Sequence, residues 1–194
     1  IDTIVCSVAG NGGIYMARSI FGLDIGTRNI KIYCSDRDEI LNEKNIIAIA
    51  HKKDVFAVGD EAFEMHEKAP GSIQVTFPVK YGVIADFANM QLLVTEFIKK
   101  MSKGGRIMPA DYYIAIPTEI TEVEKRAFLE LIRDSKIKAR KIMIINKPVA
   151  DAVGSGVDVN SAKGVMVVNI GADTTEISVM SLGGIVISRA VKFG

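Results

Sequence analysis

Residues Phe21 to Tyr33 read FGLDIGTRNIKIY, and residues Val167 to Met180 read VVNIGADTTEISVM. Each is an apolar run, a polar turn holding glycine, and then a run of alternating residues, which is a strand–turn–strand pattern. Asp24 of the first copy corresponds to Asn169 of the second, 145 positions later. Two such hairpins facing each other can wrap the phosphates of a nucleotide with backbone N–H groups. Glycine lets the backbone approach an anion closely, and a Thr or Ser hydroxyl adds a donor. An Asp at the end of the first strand can hold Mg2+ through its water shell, because Mg2+ sheds water reluctantly. The repeated pattern therefore points to nucleotide binding. The carboxylate missing at Asn169 leaves the chemistry after binding open.

The rest of the chain sets the bounds. Its 194 residues suffice for a real core, as one domain or two small ones, and 48% hydrophobic with 24% charged residues is ordinary for a soluble globular protein. A net charge of +1, with bases and acids interleaved, gives no reason to invoke nucleic acid or an anionic membrane globally. Cys6 and Cys34 match no metal spacing, and a reduced cytosolic setting is the simpler reading. No apolar run approaches the roughly 18 residues of a membrane span. Ile1 to Tyr15 lacks a basic start and a signal-peptide core. Met16 is a candidate natural start, with the residues before it a leader, an added tail or an extra strand. The Gly10, Gly12, Gly13 cluster is a weak phosphate-loop candidate.

Brief strands are expected at Ile46 to Ala50, Val55 to Val58 and Ile73 to Val79, with a short helix at Glu61 to His66. Asp86 is a plausible N-cap, and Phe87, Met90, Val94, Phe97 and Met101 then fall on one helical stripe, read as core. Tyr112 to Ile116 is a buried-looking strand stopped by Pro117. Thr121 and Glu124 have capping-box spacing for a helix to about Ser135, with Val123, Phe128, Leu131 and Ile132 facing inward. Ile142 to Ile145 reads as a strand, Val149 to Gly154 as a short helix opened by Pro148, and Gly183-Gly184 as a hairpin turn. Strands and helices alternate, so the class is α/β with a mixed sheet.

The phosphate hairpins, together with AVGDEAFEM, APGSI, GVIADF, ITEVEKRA and SLGGIVISR in that order, resemble the bacterial actin MreB family within the actin, heat-shock chaperone and sugar kinase ATPase superfamily. The resemblance covers Ser19 to Gly194. It implies an actin-like (ribonuclease H-like) ATPase fold, a mixed sheet flanked by helices, of which this chain carries the N-terminal half and the start of the second half. Subdomain IA is expected at 19–36 and 82–159, the inserted subdomain IB at 37–81, and the start of IIA at 160–194, with 1–18 a leader or an added tail. The pattern of IIA breaks off at Lys192-Phe193-Gly194, so a fragment of a longer protein is the expected reading, and an incomplete paralogue the other.

The resemblance also implies a site. Gly26, Thr27, Arg28 and Asn29 match the first phosphate loop, with Asp24 near the metal, the reading the surrounding match favours; from the residues alone, Asp24 can also be only a turn former. Arg28 stands where a small residue is usual, and either reaches the phosphates or faces solvent. The second loop, Gly171, Ala172, Asp173 and Thr174, departs from the family's D-I-G-G-G-T-T-E at Asn169, Ala172 and Asp173. Ala172 is tolerable if its φ stays negative, whereas Asp173 would repel a phosphate unless a cation intervenes. Lys147 occupies the position of the Glu that orients the attacking water, with Thr174 the other catalytic candidate. A protonated Lys has no acceptor, and losing a positioned base costs on the order of 10² to 10⁴ in rate. These changes make the site about three charges more positive than is usual for the family. The expectation is a pseudo-ATPase that holds ATP, with Mg2+, and hydrolyses it weakly or not at all. The alternative is that Lys147 points away and another residue compensates.

Family resemblance further implies a homopolymer filament, with MreB-like paralogues as further partners. It implies a cytoplasmic location at the inner face of the membrane, and a role in cell shape or motility without nucleic acid. Ile107 and Met108, among Lys99, Lys100, Lys103 and Arg106, match the family's membrane loop; a solvated turn with Met108 buried is the other reading. Rival functions are an actin-fold chaperone or sugar-kinase-type ATPase, and a scaffold that binds no nucleotide. No carboxylate base facing a kinase cleft is identifiable.

Overall fold

The computed structural model describes residues 19–50 and 54–194. The expected leader at 1–18, with Met16 and the Gly10, Gly12, Gly13 candidate, lies outside the described residues. The first hairpin is β1 (Ile20–Ile25) and β2 (Asn29–Cys34), antiparallel, with Asp24 opposite Lys31. A third strand, β3 (Glu39–Lys44), extends the meander from β2, although the expected boundary at Arg37 groups it with the inserted segment. On the other side β1 takes β9 (Ala110–Ile116) as a parallel neighbour, and β9 takes β10 (Ala139–Asn146). The order β10-β9-β1-β2-β3 makes a mixed five-stranded sheet. With neighbours on both sides, β1 carries Phe21, Leu23 and Ile25 into the core, where the Phe21 and Tyr112 rings stack 5.3 Å apart.

The inserted segment folds as β4 (Ile47–Ala50), β5 (Asp54–Val58), α1 (Asp60–Glu64) and β6 (Ile73–Thr76). Its sheet, ordered β5-β4-β6, closes over a second small core of Ile46, Ala48, Ala57 and Ala62. The single strand expected over Ile73 to Val79 is broken at Phe77-Pro78. Pro78 has no N–H for the ladder. Its carbonyl instead accepts the amides of Ala85 and Asp86 at 2.9 and 3.0 Å, which starts a separate ladder of β7 (Val79–Lys80) and β8 (Val83–Ile84). Tyr81 and Gly82 turn between them at φ 51° and 76°.

Helix α2 (Phe87–Met101) is capped as expected, with the Asp86 carboxylate accepting the Asn89 amide at 3.1 Å. Met90, Val94, Phe97 and Met101 are buried along with Leu93 and Ile98, while Phe87 at the head of the stripe is at the surface. Burying six such side chains contributes on the order of 10 kcal/mol before chain entropy is counted. Helix α3 (Glu122–Arg133) begins with the full Thr121–Glu124 capping box and buries Phe128, Leu131 and Ile132. Val123, expected inward, is 79% exposed. It stands in the first turn, and at 100° per residue it points about 140° away from Phe128.

Helix α4 (Lys147–Gly154), with Pro148 in its first turn, leads to a second antiparallel meander. This consists of β11 (Val165–Ile170), β12 (Thr175–Ser181) and β13 (Gly184–Val191). It repeats β1-β2-β3. Alternation gives it an inner face that mixes Val165, Val167 and Met180 with the polar Glu176, Ser178 and Ser188, and an exposed apolar outer face of Met166, Val168, Ile170 and Ile177.

Candidate functional site

The two turns of the repeat have the same geometry. In the first, the Gly26 amide donates to the Asn29 carbonyl at 3.1 Å; in the second, the Gly171 amide donates to that of Thr174 at 2.9 Å. A Cβ on either glycine would lie 2.8 Å from that carbonyl oxygen, so both turns require glycine where the strand ends. Ala172 is not among the residues with positive φ, which meets the condition for an alanine there. The first turn is held from beneath by the fully buried Asn45. Its backbone N–H donates to the Arg28 carbonyl at 2.8 Å and its side-chain amide to the Gly26 carbonyl at 2.7 Å.

Side chains of the two turns meet at the Tyr81-Gly82 corner. The Gly82 amide donates to the Thr27 hydroxyl at 3.1 Å, and the Tyr81 amide donates to the Asp173 carboxylate at 3.2 Å. Thr27 accepts in that bond, so its own proton remains available to an anion. Asp173 meets a backbone donor there. Lys192 lies 5.1 Å over the Tyr81 ring. Arg28 is exposed, with its guanidinium 4.8 Å over the Phe77 ring. The Asn29 side chain turns to β3, bonding Asn42 and Lys44, and contributes to the turn through its carbonyl.

Between the turns lies a chain of charges. Asp24, 8% exposed, has one carboxylate oxygen against the Lys147 ammonium and the other 3.5 Å from Lys31. Lys147 thus points into the site from the first turn of α4. One turn on, Asp151 accepts a hydrogen bond from the Asn169 amide at 2.5 Å. Burial raises the Asp151 carboxyl above its ordinary value, opposed by Lys147 and by the Asn169 bond and reinforced by Asp24 and Glu176. Deeper in, Glu176 takes the Thr118 amide at 2.9 Å and the Thr118 hydroxyl, which also contacts Ser188 at 2.6 Å. Reciprocally, Glu119 accepts from the Ala190 amide at 2.9 Å and from Arg189, which together hold its carboxyl below the usual range. The two sheets are joined by these carboxylate contacts.

This donor set does not fit a divalent cation. Of its carboxylates, Asp24 has an ammonium group against each oxygen, Asp151 accepts the Asn169 side-chain amide and Asp173 accepts the Tyr81 backbone amide. Among the described residues no group of three or more His, Cys, Asp or Glu is arranged for a metal. The Gly26 and Gly171 amides close their own turns, but the other amides of those turns, the Thr27 hydroxyl and two ammonium groups suit a polyanion instead. Lys31, Asn45, Thr118 and Asp151, and the Tyr81-Gly82 corner, were not singled out from the sequence. Lys31 had a signal: it and Glu176 hold the same place in the two hairpins, opposite Asp24 and Asn169.

A family model described as MreB/Mbl protein matches residues 18–194. The chain belongs to the MreB/Mbl family. The cell shape-determining protein MreB of Escherichia coli K12 is 38% identical over 178 residues, covering 89% of this chain and 51% of that protein. The cell shape-determining protein Mbl of Bacillus subtilis 168 is 37% identical over 177 residues, covering 91% and 52%. The chain spans about half the length of these relatives. The crystal structure of MreB5 of Spiroplasma citri bound to ADP superposes with a TM-score of 0.80 at 30% identity, over 91% of this chain and 52% of that one. A MamK double helical filament, at 23% identity and a TM-score of 0.71, shares the fold. The fold of this MreB/Mbl chain is the actin-like ATPase fold, α/β with a mixed sheet flanked by helices, as the resemblance implied.

The segment matched to the family's membrane loop comes after α2 through a single 3₁₀ turn at Lys103–Gly105. Met108 is 54% exposed, whereas Ile107 is half-buried and packs against the main core. Lys100 pairs with Glu43, and Lys99 lies 3.8 Å from Glu96. Among the described residues no helix is long and apolar enough to cross a membrane.

Proposed function

We propose that this chain is the nucleotide-holding part of an MreB-like cytoskeletal filament protein serving cell shape or motility, in which ATP acts as a structural clamp and is hydrolysed weakly or not at all. The observation that carries the reading is Lys147 at the centre of the site, paired with Asp24 between two glycine turns of matching geometry. An ammonium that donates to phosphate and cannot accept a proton from water favours holding over cutting. Nucleotide binding draws support from the Spiroplasma citri MreB5 structures bound to ADP and to AMPPNP. Cell shape draws support from the names of the Escherichia coli and Bacillus subtilis relatives. Self-assembly is carried over from the family resemblance. In sedimentation of the full-length protein, ATP and AMPPNP are expected to support equal, persistent polymer. Polymer that forms with ATP and then disassembles as phosphate appears would sink the clamp.

A peripheral place at the inner face of the cytoplasmic membrane is part of the same proposal. Met108 supplies an exposed apolar tip, and Arg106 beside it is exposed. One basic residue near an anionic leaflet contributes roughly 1 kcal/mol, so anchoring depends on many copies in a polymer. Polymer carrying Met108→Ser is expected to co-sediment less with anionic liposomes than the parent. Ile107→Ser should act mainly through stability, because Ile107 faces the core. Unchanged liposome binding by Met108→Ser rejects the loop's role.

A further inference from the structure

Both oxygens of Asp24 are taken by ammonium groups delivered from different elements, Lys31 from β2 and Lys147 from α4. We infer that the Lys147 ammonium, with Lys31 beside it, takes the place of a divalent cation, so that this chain binds a nucleoside triphosphate without metal. The inference rests on the nucleotide reading above and deepens it.

The physical case starts from charge. Two lysines carry the same total charge as one Mg2+, and they are part of the chain. A divalent ion approaching Asp24 would have to displace Lys147 or sit beside two like charges, in a place where the Lys147 and Asp24 side chains are only 18% and 11% exposed. Poor screening at such a site makes that repulsion strong. The other nearby carboxylate, Asp151, already accepts the Asn169 side-chain amide on one of its oxygens. Position comes next. Lys147 is the first residue of α4 and is followed by Pro148, whose fixed φ sets the helix start. Its contact with Asp24 uses one of three ammonium donors and aims the remainder. An anion seated on the Gly26 and Gly171 turns would meet a cation already oriented, at little further cost in side-chain order.

The test is a fluorescence titration of the full-length protein with mant-ATP, in Mg2+ and in EDTA. The parent is expected to bind equally in both, within about threefold in Kd, and Lys147→Arg to do the same. Lys147→Met, shown to be folded by far-UV circular dichroism, is expected to weaken at least about tenfold in EDTA and to recover with Mg2+. Loss of parental binding in EDTA with recovery in Mg2+ overturns the inference and leaves the nucleotide reading standing. So does an equal loss by Lys147→Met in both conditions. Absence of parental binding in both conditions overturns the nucleotide reading itself.

Discussion

Replacing Glu176 by Ala removes one of the two carboxylates that join the second meander to the segment just after β9. Glu176 is 7% exposed and accepts the Thr118 backbone amide at 2.9 Å together with the Thr118 hydroxyl. Hydrogen bonds to a charged acceptor are worth about 1.5–3 kcal/mol each, and a buried donor left without a partner costs about 1–3 kcal/mol. The Thr118 hydroxyl keeps Ser188 at 2.6 Å, so only the amide is stranded outright. Relief from burying a carboxylate offsets part of the loss. The expected net destabilisation is about 3 kcal/mol for Glu176→Ala, against about 1 kcal/mol or less for Glu176→Gln, which keeps an acceptor in place. Urea unfolding followed by far-UV circular dichroism measures both. A Glu176→Ala change within about 0.5 kcal/mol of the parent, or a Glu176→Gln as damaging as the Ala variant, would refute the reasoning.

Gly26→Ala and Gly171→Ala are expected to weaken nucleotide binding to similar extents, on the order of tenfold or more. Each adds a Cβ 2.8 Å from a turn carbonyl, and titration with mant-ATP checks the parity. Asp151→Asn tests the partly buried carboxylate. Because burial raises the folded-state value above the ordinary 3.8, Asp151 adds stability below that ordinary value and withdraws it as pH rises through the raised one. The melting temperature of Asp151→Asn relative to the parent is therefore expected to be higher at pH 7 than at pH 4. An unchanged or reversed difference removes the buried-carboxylate explanation.

The features legible in the sequence are the local ones. The two hairpins could be read because a strand end, a glycine and an alternating strand are set by neighbours a few residues apart. The Asp86 cap, the Thr121–Glu124 box and the α2 stripe were legible for the same reason. Val123 was misassigned because an apolar residue in the first turn satisfies the pattern while the helical phase turns it outward. Pro78 carried a signal against a continuous Ile73 to Val79 strand that hydrophobic patterning alone overrode. Much of the candidate site was not local. Lys147 reaches Asp24 across 123 positions, and Thr118 reaches Glu176 across 58. The family resemblance matched Lys147 to the position expected for the hydrolytic Glu but did not disclose that it would pair with Asp24. Nor did it reveal that a turn at Tyr81-Gly82 would touch both glycine turns, since positive φ at a tyrosine has no strong sequence mark.

The decisive measurement is phosphate release from the full-length protein saturated with ATP and Mg2+, read beside Escherichia coli MreB under the same conditions. If Lys147 and Asn169 stand where the resemblance expects carboxylates, as proposed, release is at least about 100-fold slower while nucleotide stays bound. Release at a rate comparable to that of the Escherichia coli protein would contradict a site that holds its nucleotide without cutting it.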